Sequence, residues 1–550
     1  MNDTALVPHM SGQTVPLLIK ELLRMAMDTV PTGDILYADR SHYDYATLNE
    51  RIHRLGAALS GLGLRTGMTV GVMDWDTPRY LECFFGIPML GAVLHTINIR
   101  LSPEQILYTI NHAEDDFILV NSEFLPVLQT IWDRIEPGKT LVLLTDEPTK
   151  PSTTLPLAGE YEALLAAADP DFAFPDFDEN TRATTFYTTG TTGLPKGVFF
   201  SHRQLVLHTL TLRAITSGTG QGRFNEGDVY MPLTPMFHVH AWGMPYLATT
   251  LATKQVYPGR YVPDLLAKLI KDEGVNFSHC VPTIMQMVLQ AADRQGVDLH
   301  GWRVVIGGSA MPRALCLDAL KRGIDIYSGY GMSETGPLLT LSRLQPDMLN
   351  WPIEEQADIR CKAGRAVALV QIRVVDEQMQ DVPSDGVARG EIVARAPWLT
   401  AGYFKDPVNS KTLWAGGWMH TGDVAVREPD GTLKIIDRIK DVIKTGGEWV
   451  SSLDMEDLLL RHPAVAEAAV VGIADPKWGE RPLAFIVVRP GQTVTADEII
   501  AHLADFAGRG IISRYAVPNH VEFVEQLPKT SVGKLNKRAL RETYTASNQT

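Results

Sequence analysis

Four short apolar runs, TVGVM (69–73), DFILVN (116–121), TLVLLT (140–145) and RVVIGG (303–308), stand between longer amphipathic segments. Runs of this length, rich in Val and Ile and bounded by turn residues, read as buried strands, and their alternation with helical patterns favours sheets with helices packed on their faces. The expected fold class is therefore α/β. A longer apolar stretch at 84–94 is interrupted by Gly and Pro and falls short of the roughly 20 residues that span a bilayer. It reads as a buried helix, with Thr77 as N-cap and Pro78 in the first turn, and no membrane partner is expected.

A chain of 550 residues exceeds one hydrophobic core. The Pro/Thr-rich segment TDEPTKPSTTLPL (145–157) reads as a surface loop joining two α/β blocks. After about residue 365 the texture changes to strand-and-turn segments such as GEIVARAP (390–397) and GTLKIIDRIK (431–440), which predicts a β-rich subdomain. From Lys440 onward come a helix (SLDMEDLLLRH), strands (AEAAVVGIA and PLAFIVV), a second helix and a basic tail, enough for a small α+β lid domain.

The net charge of −14 argues against nucleic acid or an anionic membrane as a general partner, so an anionic ligand must be met by local charge. Cys83, Cys280, Cys316 and Cys361 have neither metal-ligand nor disulfide spacing and read as reduced core thiols. The first residues lack a basic stretch leading into an apolar one, which makes the cytoplasm the expected location.

YTTGTTGLPKGV (187–198) packs four threonines, three glycines and a lysine into a dozen residues. Glycine lets backbone N–H groups approach an anion, hydroxyls add donors and lysine adds charge, a composition suited to polyphosphate. It is not a Walker loop, because Pro195 stands where the second glycine belongs and Gly197 follows Lys196. Nor is Gly329-Tyr330-Gly331 a dinucleotide fingerprint, since Glu334 takes its sixth position. By itself the stretch also admits the plainer reading of a flexible Gly/Thr turn, second to the phosphate cradle.

Four further motifs follow in order: SGYGMSETG (328–336), GWMHTGDVA (417–425), DRIKDVIKTGGEWVSS (437–452) and LPKTSVGKLNKRALR (527–541). With YTTGTTGLPKGV they make nearly the whole chain resemble the adenylate-forming superfamily of acyl-CoA synthetases, peptide-synthetase adenylation domains and luciferases. The resemblance implies a carboxylic acid, ATP and Mg²⁺ giving an acyl-adenylate and diphosphate, after which a thiol takes the acyl group and releases AMP. It also implies an N-terminal domain over 1–437, a hinge over 438–443 centred on Lys440, and a mobile lid over 444–550.

Roles follow by position. Thr188, Thr189, Gly190, Thr191, Thr192, Gly193 and Lys196 match the holders of the departing diphosphate, and Thr191 and Glu334 the Mg²⁺ ligands. Ser328, Gly329, Tyr330, Gly331, Met332 and Ser333 match the adenine and α-phosphate segment, with Tyr330 on the base and Ser333 at the phosphate. Gly308 and Ser309 border the adenine, Asp423 takes the ribose hydroxyls, and Ile435 and Arg438 complete the nucleotide set. Lys534 matches the lid lysine bridging carboxylate and α-phosphate, and is grouped with Glu334, Thr191 and His238 as catalytic.

MPLTPMFHVHAWG (231–243) and GGSAMP (307–312) match the acyl pocket, formed by His238, Trp242, Gly307, Gly308, Pro312 and Gly331. Lys444, Gly446, Gly447, Glu448 and Trp449 match the turn that replaces Lys534 and lines the thiol tunnel after lid rotation. GGSAMP departs from the more familiar GGAPL, and Asp454 stands where glutamate is frequent, both of which bear on pocket shape. No carrier domain follows the last motif, so coenzyme A is the expected thiol acceptor. FHVHAWG, KQVYPGRY and FSHCVPTIMQM resemble the 3-methylmercaptopropionate-CoA ligases of dimethylsulfoniopropionate catabolism. The alternatives are a general short- to medium-chain fatty acyl-CoA synthetase and a catalytically silent adenylate-binding sensor. A homodimer is the family-level expectation.

Overall fold

The computed structural model describes residues 15–149, 151–188, 194–218, 220–446, 448–530 and 534–547. Two large sheets carry the N-terminal part. In the first, seven strands lie in the order Leu157–Glu160, Thr140–Leu144, Asp115–Asn121, Thr69–Met73, Val93–Thr96, Arg182–Thr188 and Lys196–Ser201. All pairs are parallel except the last, which is a hairpin.

The second sheet has nine strands and a parallel centre, Asp325–Gly331, Arg303–Ile306, Phe277–Cys280, Val229–Leu233, Lys254–Tyr257 and Asp34–Tyr37. Antiparallel strands close both of its edges. Between the two sheets lies a core that includes Phe84, Phe85, Tyr246 and Phe186. Each of the four apolar runs forms the strand its composition predicts.

The 84–94 run behaves differently from the expected helix. The helix Pro78–Met89 is capped as predicted, Thr77 accepting from Tyr80 N, but it stops before Gly91, whose φ is +72°, and the chain re-enters the sheet at Val93. Uniform hydrophobicity hid this because helix end and strand start are both buried.

An antiparallel sheet of four strands, Gln371–Val375, Arg389–Arg395, Met419–Arg427 and Leu433–Arg438, forms the expected β-rich part. Beyond it, five strands between Ile443 and Phe523 pack against the helices Ser452–Leu460 and Ala496–Gly508. The basic tail is a third helix, Lys537–Ser547, which buries Leu540 against Phe485 and Leu527. The overall architecture is the expected one, α/β layers with a β-rich sheet and a small α+β unit. All four cysteines are free thiols, and among the described residues no helix is long and apolar enough to cross a membrane.

Candidate active site

The Thr/Gly-rich loop joins the two strands of a hairpin in which Thr188 lies opposite Lys196. Thr189, Gly190, Thr191, Thr192 and Gly193 lie outside the described residues. Lys196 forms no ion pair among the described residues, and its ammonium sits 4.7 Å from the centroid of the Tyr403 ring.

Glu334 occupies the short turn Ser333–Thr335 and is 7% exposed. Its Oε1 accepts a 2.7 Å hydrogen bond from the Tyr403 hydroxyl, its carbonyl accepts from Thr400 N at 3.0 Å, and it has no ion pair among the described residues. A buried carboxylate outside any ion pair suits a hard cation. Among the described residues no three His, Cys, Asp or Glu cluster to hold a metal. The single Glu334 carboxylate is a donor of the kind Mg²⁺ takes, since that ion commonly uses one or two carboxylates and completes its shell with substrate phosphates and water.

Tyr330 and Asp423 are bound to each other, the tyrosine hydroxyl donating to Asp423 Oδ2 at 2.8 Å, while Arg438 Nε lies 3.4 Å from Asp423 Oδ1. Burial raises the Asp423 carboxyl above its ordinary range, against the pull of Arg438. Ile435 packs into the same cluster as Tyr330. Ser328 is buried with its Oγ unpartnered among the described residues. Gly331 admits no side chain, since a Cβ would stand 1.7 Å from Pro337 O. Gly308 and Ser309 are exposed.

An apolar cavity opens beside Gly308, with Trp242, Phe277, Leu212, Ile215 and Leu341 along its walls. His238, Gly307, Gly308, Gly329, Tyr330, Gly331, Met332, Ser333 and Lys534 also line it. Pro312 does not; it precedes the helix Arg313–Lys321 as its N-cap. The Trp242 indole covers Gly307 and tilts against His279, the ring centroids 5.0 Å apart. His279 is spent inside the wall, bonded to Tyr230 Oη at 2.8 Å and Thr234 Oγ1 at 3.1 Å.

Val239, His240, Ala241 and Trp242 all have positive φ, between 47° and 60°, a left-handed turn without a glycine until Gly243. Each such residue costs about 1–2 kcal/mol, so the surroundings must impose it. Asp76 Oδ1 accepts from Met236 N at 2.9 Å, Thr96 Oγ1 donates to Phe237 O at 2.9 Å, and the His240 ring is enclosed by Phe84, Phe186 and Phe200.

Lys534 comes from the C-terminal part and lies over Gly308. Desolvation, then the Arg438 charge, bring its ammonium down to about 8, while Asp423 and Glu334 oppose them. Burial, with Lys534 and Arg100 nearby, takes His238 down to about 3, so its ring is neutral at pH 7.

The thiol-tunnel candidates are elsewhere. Lys444, Glu448 and Trp449 belong to the hairpin Ile443–Thr445 and Glu448–Val450, and none lines the cavity. Gly446 has φ +58° and donates to Trp478 O at 2.9 Å, Glu448 Oε2 accepts from Ser513 Oγ at 2.6 Å, and Gly447 is outside the described residues. Lys440 is exposed, its carbonyl accepting from Arg541 at 3.5 Å. His238, Tyr330, Gly331, Met332, Ser333 and Lys534 thus line one cavity, and the described residues matched to thioester formation lie outside it.

A family model described as AMP-binding enzyme matches residues 24–404, and one described as AMP-binding enzyme C-terminal domain matches 454–534. The chain belongs to the AMP-binding enzyme family. As such it is an AMP-forming acyl-CoA synthetase that works through an acyl-adenylate with ATP and coenzyme A as substrates. This AMP-binding enzyme is 41% identical over 505 residues to a long-chain-fatty-acid–CoA ligase of Thermus thermophilus, covering 91% of this chain and 90% of the relative. It is 38% identical over 549 residues to a 3-methylmercaptopropionyl-CoA ligase of Ruegeria lacuscaerulensis, covering 97% and 99%. The fold is similar to the crystal structure of an anthranilate CoA ligase in complex with anthranoyl-AMP, with a TM-score of 0.84, 24% identity, and 97% and 99% of the two chains covered.

Four residues of this site were not singled out from the sequence: Tyr403, Asp76, Thr96 and His279. A tyrosine in TAGYF, an aspartate in DWDTP, a threonine in LHTIN or a histidine in FSHCV has no local pattern to separate it from ordinary packing.

Proposed function

We propose that the enzyme activates a short apolar acid, 3-methylmercaptopropionate first among the candidates, and transfers the acyl group to coenzyme A. The observation that carries this reading is the Lys534 ammonium, the one charged group lining a largely apolar cavity among the described residues. An acid fits there tail inward, with its carboxylate at the lysine.

In the adenylation step a carboxylate oxygen attacks the α-phosphorus and diphosphate leaves. Lys534 neutralises charge on the carboxylate and the α-phosphate together, Ser333 donates at the phosphate, and Lys196 meets the leaving diphosphate; such placed charges are the usual means of lowering a phosphoryl-transfer barrier. Thr191 and Glu334 would hold Mg²⁺, which neutralises phosphate charge when bound. Asp423 would receive the ribose by sharing oxygens now bonded to Tyr330 and Arg438. Rotation about Lys440 then replaces Lys534 by the 444–449 turn, the thiolate of coenzyme A attacks the acyl carbon, and AMP leaves. A cytoplasmic homodimer belongs to the same reading, on family grounds alone.

The similarity to a 3-methylmercaptopropionyl-CoA ligase along nearly the whole of both chains supports the first candidate. One observation favours a broader reading: beside Trp242 the cavity is lined by Leu212, Ile215, Met244 and Leu341, an aliphatic surface that suits longer tails. Each further methylene adds about 0.8 kcal/mol of burial, so such a wall discriminates only modestly. Coenzyme A-dependent AMP release measured on 3-methylmercaptopropionate, butyrate, hexanoate, octanoate and a cinnamate separates these readings. Highest kcat/KM on the thioether acid supports the first, a maximum at hexanoate or octanoate the second, and nucleotide binding without turnover a silent sensor.

A further inference from the structure

We propose that Tyr403 is a positioning residue for adenylation, a single side chain that fixes both the Glu334 carboxylate and the Lys196 ammonium. Its hydroxyl donates to Glu334 Oε1 at 2.7 Å, and the face of its ring lies 4.7 Å from Lys196 Nζ. A hydrogen bond to a carboxylate fixes which oxygen lone pairs remain for a cation. A ring face holds an ammonium without neutralising it, so the lysine is kept in place with its charge undiminished for phosphate.

The backbone around Tyr403 ties the same two motifs together. Thr400 N donates to Glu334 O at 3.0 Å, Thr400 Oγ1 donates to Phe199 O at 2.9 Å, and Phe404 N donates to Gly197 O at 2.8 Å. Residues 400–404 therefore span from the strand that carries Lys196 to the turn that carries Glu334. Tyr403 itself is anchored by its N–H on Ser410 Oγ at 2.8 Å. The ring and the hydroxyl thus divide the work: the ring addresses the lysine and the hydroxyl the carboxylate.

The inference rests on the proposed roles of Glu334 and Lys196, and its test separates the two. Acid-dependent ATP–diphosphate exchange is measured against Mg²⁺ concentration in the full-length enzyme and in Tyr403→Phe, Tyr403→Ala and Glu334→Gln. Mn²⁺ binding to the ATP-loaded proteins is followed in parallel by electron paramagnetic resonance, and thermal unfolding is recorded for each. Tyr403→Phe keeps the ring and loses the hydroxyl. It should raise the Mg²⁺ midpoint and weaken Mn²⁺ binding roughly tenfold, the size of one lost hydrogen bond to a charged group. At saturating Mg²⁺ its kcat and its KM for ATP should stay near those of the parent. Tyr403→Ala should add a several-fold rise in the KM for ATP.

An unchanged midpoint in Tyr403→Phe beside a shifted one in Glu334→Gln overturns the role of Tyr403 and leaves that of Glu334 standing. An unchanged midpoint in Glu334→Gln overturns the cation-ligand reading and the inference with it. A kcat loss in Tyr403→Phe that saturating Mg²⁺ does not restore overturns the inference in favour of plain packing.

Discussion

Lys534 lies directly over Gly308: a Cβ added to that glycine would stand 3.2 Å from Lys534 Cε and 3.8 Å from its Nζ. Gly308 also has φ +80°, a conformation costing about 1 kcal/mol for a residue with a side chain. Gly308→Ala should therefore lower stability by about 1 kcal/mol and slow adenylation well beyond that. Thioester formation from supplied acyl-adenylate, measured separately, should change little; an equal loss in both half-reactions would mean the glycine serves the fold alone.

The Lys534 ammonium, brought down to about 8 by desolvation and Arg438, sets a pH limit. The lysine is charged below that value and neutral above it. The kcat/KM for adenylation, which reports the free enzyme, should fall as pH rises through about 8. Lys534→Arg, slower overall, should show no such fall below pH 10, because a guanidinium stays protonated. A basic limb that is the same in both proteins would assign it to another group.

Trp242 covers Gly307 and leans on His279 in the cavity wall. Trp242→Ala should shift kcat/KM from butyrate towards octanoate by roughly tenfold or more, the range available to an apolar pocket, with the KM for ATP nearly unchanged. Weaker ATP binding with the same acid preference would remove Trp242 from the pocket wall.

Lys537 and Glu456, both buried in the C-terminal part, are paired at 2.8 Å, and Glu456 Oε1 also accepts from Val470 N at 2.8 Å. Lys537→Met strands the carboxylate and should cost about 3–5 kcal/mol. Thermal unfolding should show the loss, and adding Glu456→Leu should recover most of it. A neutral single substitution would mean that water reaches Glu456.

Much of this was legible before any coordinates. TVGVM, DFILVN, TLVLLT and RVVIGG declare themselves as strands because buried parallel strands need continuous apolar runs, and five ordered motifs carry the family. What the sequence hides is pairing. Tyr330 and Asp423 belong to separate motifs, and only the fold reveals that each is the other's partner. Tyr403 meets Glu334 69 positions away, a contact no local spacing encodes. The left-handed turn at 239–242 is equally hidden, because it contradicts the preferences of Val, Ala and Trp and exists only where Asp76, Thr96 and the aromatic core impose it.

The half-reactions of Lys534→Ala test the central claim most directly. With acid and ATP, its diphosphate exchange should drop at least a hundredfold, the usual scale for removing a charge-stabilising donor. With pre-formed acyl-adenylate and coenzyme A, the thioester should form at close to the parent rate. Equal loss of both would contradict the account, since Lys534 would then not belong to adenylation alone.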